Sequence, residues 1–137
     1  MELEKPIIAD TNFLSDHLAG KKTARKMHKT LLKEGHYIIT TVITVSELYF
    51  GKYRRRWQET RSRKLAELIA SLQIIPFSTV HAIEYGRIRA FLADSGLDIG
   101  FADTAIAAIA KKENLPILTA NIRHFERIEG IEIKLYN

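Results

Sequence analysis

The chain has no cysteine, which excludes disulfides and any thiolate zinc site. A cysteine-free chain suits a reducing compartment, and the cytoplasm is the expected location. No apolar run approaches the roughly 20 residues that a membrane-spanning helix needs. The short apolar run near the N-terminus is no signal-peptide pattern, so no membrane partner is expected. Internal repeats, low-complexity tracts and linkers are also missing from the 137 residues, and a single domain over 1–137 is expected. Disorder is excluded by the balance of 46% hydrophobic and 27% charged residues, which is that of a globular chain.

Acid is missing locally. Residues 21–33 carry Lys21, Lys22, Arg25, Lys26, Lys29 and Lys33 with no carboxylate among them. Residues 52–64 carry seven cations against Glu59 alone. The net charge is only +5, so the remainder of the chain is mildly acidic. Two basic segments on an acidic body favour a polyanion partner, nucleic acid before a membrane surface. The plain alternative is two solvated helix faces.

What is present reads as strands alternating with helices, and hence as parallel βαβ units. Strands are predicted at Pro6–Ala9, Tyr37–Thr40, Gln73–Phe77, Pro116–Thr119 and, with the alternation of an edge, Ile131–Leu135. Pro76 marks the end or edge of the third. Helices are predicted over 12–19, 22–34, from Thr44 towards the arginine run, 58–72, from Ser78 or Thr79 to Gly96, 101–113 and 122–127. Leu65, Leu68, Ile69 and Leu72 form one apolar stripe, and Tyr85, Ile88, Phe91 and Leu92 form another.

Four positions carry the chemistry. Asp10 ends the first apolar run, where open α/β sheets place their ligands; alternatively it only caps the next helix. Glu47 lies among Val45, Leu48, Tyr49 and Phe50, although Thr44-x-x-Glu47 also reads as a capping box. Asp103 sits in the first turn of a helix that is apolar on nearly every face, Phe101 to Ala110. A helix dipole gives such a carboxylate about 0.3–1 kcal/mol, small beside the several kcal/mol of burying an uncompensated ion. Asn121 follows the fourth strand, with Thr119 two residues before it. In a parallel sheet these positions converge. Hard oxygen donors without cysteine or histidine suit Mg²⁺ or Mn²⁺ rather than zinc. Asp16 and Asp98 lie near the site in sequence and could stand as acids behind its ligands, although surface exposure is the expectation for both; His124 is expected as a packing or phosphate-contact residue or simply at the surface. Arg54, Arg55 and Arg56, with Tyr53 and Trp57 for stacking, are the candidates for binding nucleic acid.

Ile8-Ala9-Asp10-Thr11-Asn12-x-Leu14, Val45-Ser46-Glu47-Leu48, Ile99-Gly100-x-x-Asp103-x-x-Ile106-Ala107-Ala108 and Leu118-Thr119-x-Asn121-x-x-x-Phe125 occur in the order seen in PIN domains. The sequence resembles that family, and within it the VapC-type toxins, over nearly its whole length. The resemblance implies a three-layer α/β/α fold with a central, mostly parallel sheet. It implies an Mg²⁺-dependent endoribonuclease, with Mn²⁺ as the other metal, acting as the toxin of a toxin–antitoxin pair. It also implies a homodimer and an antitoxin that blocks the site and binds operator DNA. Asp10, Glu47 and Asp103 match the acidic metal ligands of the family, while Asn121 stands where an aspartate is frequent. Thr11 and Thr119 match positions that support the site. One rival is a non-catalytic nucleic-acid-binding module of the same fold. Another is a phosphoryl-transfer domain, against which Asn12 stands where a phosphatase wants a second aspartate.

Overall fold

A computed structural model describes residues 5–136. The elements run β1 (Lys5–Ala9), α1 (Thr11–Leu18), α2 (Lys22–Lys33), β2 (His36–Thr41), α3 (Val42–Arg55), α4 (Glu59–Ser71), β3 (Ile74–Ile75), α5 (Thr79–Asp94), α6 (Phe101–Glu113), β4 (Ile117–Thr119), α7 (Ile122–Phe125) and β5 (Ile133–Leu135). The five strands form one sheet in the order β3-β2-β1-β4-β5, and every ladder is parallel.

β1 is central because its apolar residues can be covered on both faces. Ile7, Ile8 and Ala9 are all at most 1% exposed, as expected of a parallel strand sandwiched between helices. Its register pairs Ile7 with Ile38 on one side and Ile8 with Ile117 on the other. Alternate side chains go to opposite faces. Ile8, Ile39 and Ile117 join Ile88 and Leu92 of α5 and the Ala105–Ala110 stretch of α6 in one core. Ile7, Ala9 and Leu118 join Phe13 and Leu14 of α1, Leu31 of α2, Leu48 of α3 and Leu65 of α4 in the other. The result is the expected three-layer sandwich.

Connectivity fixes where the site must lie. From β1 the chain winds outward through β2 to β3, then returns to the opposite side of β1 for β4 and β5. The reversal opens a crevice between the carboxyl ends of β1 and β4, the place where doubly wound sheets hold ligands.

Several sequence expectations shift. The third strand, expected over 73–77, pairs only at Ile74–Ile75; Pro76 has no N–H to continue the ladder. The last strand is limited to Ile133–Leu135, at the sheet edge. β2 runs directly into α3, which starts at Val42 rather than Thr44. Thr41 is its cap, its hydroxyl accepting from the Thr44 N–H at 3.2 Å. Glu47 is therefore too far along the helix to close a capping box with Thr44, and that reading of it is overturned. On α5, Phe91 faces solvent at 55% exposure. The buried stripe is instead His81, Glu84, Ile88 and Leu92. Two polar residues sit inward there with charged or polar partners: His81 contacts Glu113 at 3.1 Å and accepts from the Ser78 N–H at 3.0 Å. Glu84 contacts Arg87 and Lys111.

Candidate active site

Asp10 is the first residue after β1, and it is both the helix cap and the floor of the crevice. Its Oδ1 accepts from the Phe13 N–H at 3.1 Å, as an N-cap should. Its Oδ2 accepts from the Thr119 hydroxyl at 2.6 Å. That second bond ties the ends of β1 and β4 together across the switch point. Thr40, at the end of β2, donates from its hydroxyl to the Ala9 carbonyl at 3.0 Å, so the strand end is held from the other side too. Asp10 is only 6% exposed. Burial pushes its carboxyl above the ordinary value; the bonds from Thr119 and Phe13 pull the other way, and the charges of Asp103 and Glu47 push it further up.

The other acids arrive from the flanking helices. Glu47 projects from the second turn of α3 and is half-buried; its Oε1 accepts a short hydrogen bond from the Thr11 hydroxyl. Asp103 sits in the first turn of α6 with its side chain 23% exposed. The rest of that turn and the next, Thr104 to Ala110, is fully buried, so the carboxylate stands at the mouth of an apolar helix. Gly100 caps α6 with φ +88°, a conformation glycine adopts without strain. Asp98 accepts from its N–H at 2.9 Å and is itself exposed, as expected. Asp16 is more engaged than expected: it accepts from the Tyr136 hydroxyl at 2.7 Å and pairs with Lys21 at 3.1 Å.

Asn121 supports rather than faces the acids. Its N–H donates to the Thr119 hydroxyl at 2.9 Å, orienting the group that binds Asp10. Its side-chain amide meets His124 Nδ1 at 3.1 Å. The same nitrogen makes a short contact with Asp103 Oδ2. His124 is thus the site residue that sequence reasoning undervalued. The available signal was the Asn121-x-x-His124 spacing, which places both on one face of a helical turn.

Of the RNA-binding candidates, Arg54 and Arg55 line an open groove of about 380 Å³ with Thr11, Asn12, Glu47 and Phe50. Arg56 is exposed but sits in the left-handed region, φ +52°, where it ends α3. Trp57 is engaged elsewhere. The Arg61 guanidinium lies 3.7 Å from its ring centre, and the ring packs partly buried against the core under α4. Tyr53 is 70% exposed and stays open.

These carboxylates are short of positive charge. Among the described residues neither Asp10 nor Glu47 has an ion-pair partner. Buried Asp10 is instead accompanied by two more acids. That charge deficit and the all-oxygen donor set fit a hard divalent cation. Among the described residues no three acidic or histidine side chains converge tightly enough to ligate an ion as they stand. Glu47 is held by the Thr11 hydroxyl and Asp103 by His124.

Comparison with known proteins agrees with this geometry. The PIN domain family profile matches residues 7–131. Ribonuclease VapC2 of Haemophilus influenzae is 36% identical over 86 residues, 63% of this chain and just under two thirds, 65%, of that protein's length. The tRNA(fMet)-specific endonuclease VapC of Salmonella typhimurium is 37% identical over 92 residues, 67% of this chain and 70% of that protein. Among solved structures, VapBC2 from Rickettsia felis bound to a DNA fragment from its promoter superposes with a TM-score of 0.84. It shares 28% identity over 96% of this chain and 99% of that one. Sheet order, the acids at its switch point and a profile match over most of the residues lead to one conclusion: the chain belongs to the PIN domain family.

Proposed function

We propose that the chain is a divalent-metal-dependent endoribonuclease and the toxin of a toxin–antitoxin pair. The observation that carries this reading is the gathering of Asp10, Glu47 and Asp103 at one crevice, where among the described residues neither Asp10 nor Glu47 has an ion-pair partner. Asp10, Asp103 and Glu47 would hold Mg²⁺, or Mn²⁺ in its place. Such an ion, when bound, supplies Lewis-acid chemistry, acidifying water and neutralising charge that develops on the phosphoryl group.

The protein's own groups do the positioning. Thr119 and the Phe13 N–H hold Asp10 in one orientation. Thr11 holds Glu47 by one oxygen and leaves the other to ligate or to orient the attacking water. His124 steadies Asp103. Asn121 carries no charge, and its role here is to fix the Thr119 hydroxyl and to orient a water or a substrate oxygen. Arg54 and Arg55 line the groove beside Glu47, where they meet phosphates.

The partner follows from the relatives. VapC proteins of similar sequence are named ribonucleases, and the solved VapBC structures are of complexes, two of them with DNA. We extend to this chain an antitoxin partner that covers the site, a homodimeric toxin and action in the cytoplasm. No helix among the described residues is long and apolar enough to cross a membrane.

The test is cleavage of RNA with Mg²⁺, with EDTA, and by Asp10→Asn and Asp103→Asn. Cleavage is expected only from the unaltered chain with metal; equal cleavage under all four conditions would sink the proposal. The diversion of Glu47 and Asp103 to neighbouring side chains favours a second reading, a nucleic-acid-binding module without catalysis. It predicts RNA binding that survives EDTA, with no cleavage under any condition.

A further inference from the structure

Two open pockets flank the acids. The first is the groove of Arg54 and Arg55, which shares Thr11 and Glu47 with the acid centre. The second, of about 280 Å³, lies on the opposite, β4 side of the crevice. It is lined by Leu97, Asp98, Ile99, Arg123, His124 and Arg127. Its connection to the centre is direct, because His124 contacts both Asp103 and Asn121. The acids therefore sit between two cation-lined hollows, joined to one through Glu47 and to the other through His124.

Charge and shape in the second pocket point the same way. Arg123 and Arg127 are exposed, and neither has an acidic partner among the described residues. The one acid in the wall, Asp98, is already occupied: it pairs with Arg89 at 3.9 Å and accepts from the Gly100 N–H. Leu97 and Ile99 give the hollow an apolar part to the wall that it shares with the two arginines. On the far side Phe50, 68% exposed, does the same beside Arg54 and Arg55. Arginines and apolar surface in the same hollow match a strand that presents phosphates and unstacked bases together. A duplex turns its bases inward and offers nothing to such walls.

We infer that Arg123 and Arg127 form a second backbone-binding subsite, so that a single RNA strand crosses the acid centre from the Arg54–Arg55 groove to the pocket beside α7. The substrate class is single-stranded or looped RNA long enough to reach both hollows. The inference rests on the proposed nuclease reading for the place of the cut, but the subsite itself is a binding claim and is tested as one.

The experiment uses the full chain in EDTA, where no cleavage occurs, with fluorescently labelled single-stranded RNA of two to about ten nucleotides. Anisotropy is read across a salt series for the unaltered chain, for Arg123→Ala/Arg127→Ala, and for Lys29→Ala/Lys33→Ala as a control remote from the site. Circular dichroism confirms that the exposed substitutions leave the fold intact. Affinity for the longer strands is expected to fall roughly tenfold in the arginine pair, and the salt slope by about 1.4, two phosphates at roughly 0.7 each. The gain in affinity with strand length should shrink in that variant and persist in the lysine control. Binding with an unchanged slope and an unchanged length dependence in Arg123→Ala/Arg127→Ala overturns the inference. So does failure of the unaltered chain to bind RNA, or Arg123- and Arg127-dependent binding of a poly-glutamate peptide in place of RNA. Cleavage assays with Mg²⁺ separate the two claims: a chain that never cleaves but loses affinity as described keeps the subsite and loses the nuclease.

Discussion

At the scale of single residues, Asp10 shows how a site can cost stability. Its carboxylate is buried, caps α1 and lies near two more acids, and among the described residues it has no ion-pair partner. Asp10→Asn keeps an oxygen for the Phe13 N–H and removes the buried charge. In the absence of divalent ions the variant is expected to be more stable than the unaltered chain by about 1–3 kcal/mol, measured by urea unfolding. Adding Mg²⁺ should raise the midpoint of the unaltered chain and leave the variant where it was. A lower stability for the metal-free variant would show that the carboxylate is compensated by groups other than a cation. His17 gives a pH-dependent counterpart on the far end of α1. Burial, with the neighbouring His28 adding to it, holds its imidazole below the ordinary value of 6.5, and its Nδ1 is buried without a partner. A histidine depressed by folding binds its proton more readily in the unfolded chain, so stability falls as the pH drops through about 6.5. The difference in urea midpoint between pH 7.5 and 5.5 is expected to be smaller in His17→Gln than in the unaltered chain.

At the scale of elements, helix ends decide which side chains reach the crevice. α3 starts at the Thr41 cap and stops at Arg56, whose left-handed backbone lets the chain turn into α4. A non-glycine residue there pays about 1–2 kcal/mol, part of which glycine returns as lost chain entropy. Arg56→Gly is therefore expected to stabilise the protein by roughly 0.5–1 kcal/mol. If Arg56 contributed to RNA binding, affinity would fall in the same variant. With the phosphate role resting on Arg54 and Arg55, affinity is expected to stay within about twofold. Sequence periodicity located nearly every element here because the pattern is consistent: the buried residues of β1, Ile7 to Ala9, are all apolar, and α6 is apolar over whole turns. It failed where tertiary contacts outweigh pattern. Phe91 fits the stripe of α5, yet the inward positions go to His81 and Glu84, whose partners on α6, Glu113 and Lys111, cannot be seen from α5 alone. Glu47 looked like a capping partner because Thr44 stands three residues before it. The hydroxyl that holds it is Thr11, 36 residues away. The acids of the candidate site were legible because each contradicts its apolar neighbours. His124 was not, since a histidine beside arginines on a short helix resembles any surface residue.

At the scale of the whole molecule, the end of the chain is tied back to its beginning. Tyr136 is 3% exposed although it lies just beyond an edge strand. Its ring meets Phe13 edge-on at 5.1 Å, and its hydroxyl reaches Asp16 on α1 and Thr23 on α2. Burial alone would raise the Asp16 carboxyl, but the bonds from Tyr136 and Lys21 outweigh it and hold the group below its ordinary value. The tie matters to the crevice because the Tyr136 N–H donates to the Thr119 carbonyl at 2.8 Å, on the residue whose hydroxyl fixes Asp10. Tyr136→Phe keeps the ring and loses the hydroxyl, and is expected to cost about 1 kcal/mol with cleavage unchanged. The Asp16 contribution, present above about pH 4 and lost as the pH falls through its lowered value, should shrink in the same variant. Tyr136→Ala empties a buried aromatic site and is expected to cost about 3 kcal/mol or more. Because β5 pairs only with β4 among the described residues, the loss should appear first as faster hydrogen exchange at Ile133–Leu135. The amides of β1, clamped between β2 and β4, should follow only at global unfolding. Cleavage should decline together with β5 protection, since Thr119 then loses its outer support. If the amides of β5 in Tyr136→Ala stay as protected as those of β1, the C-terminal tie has no part in holding the site.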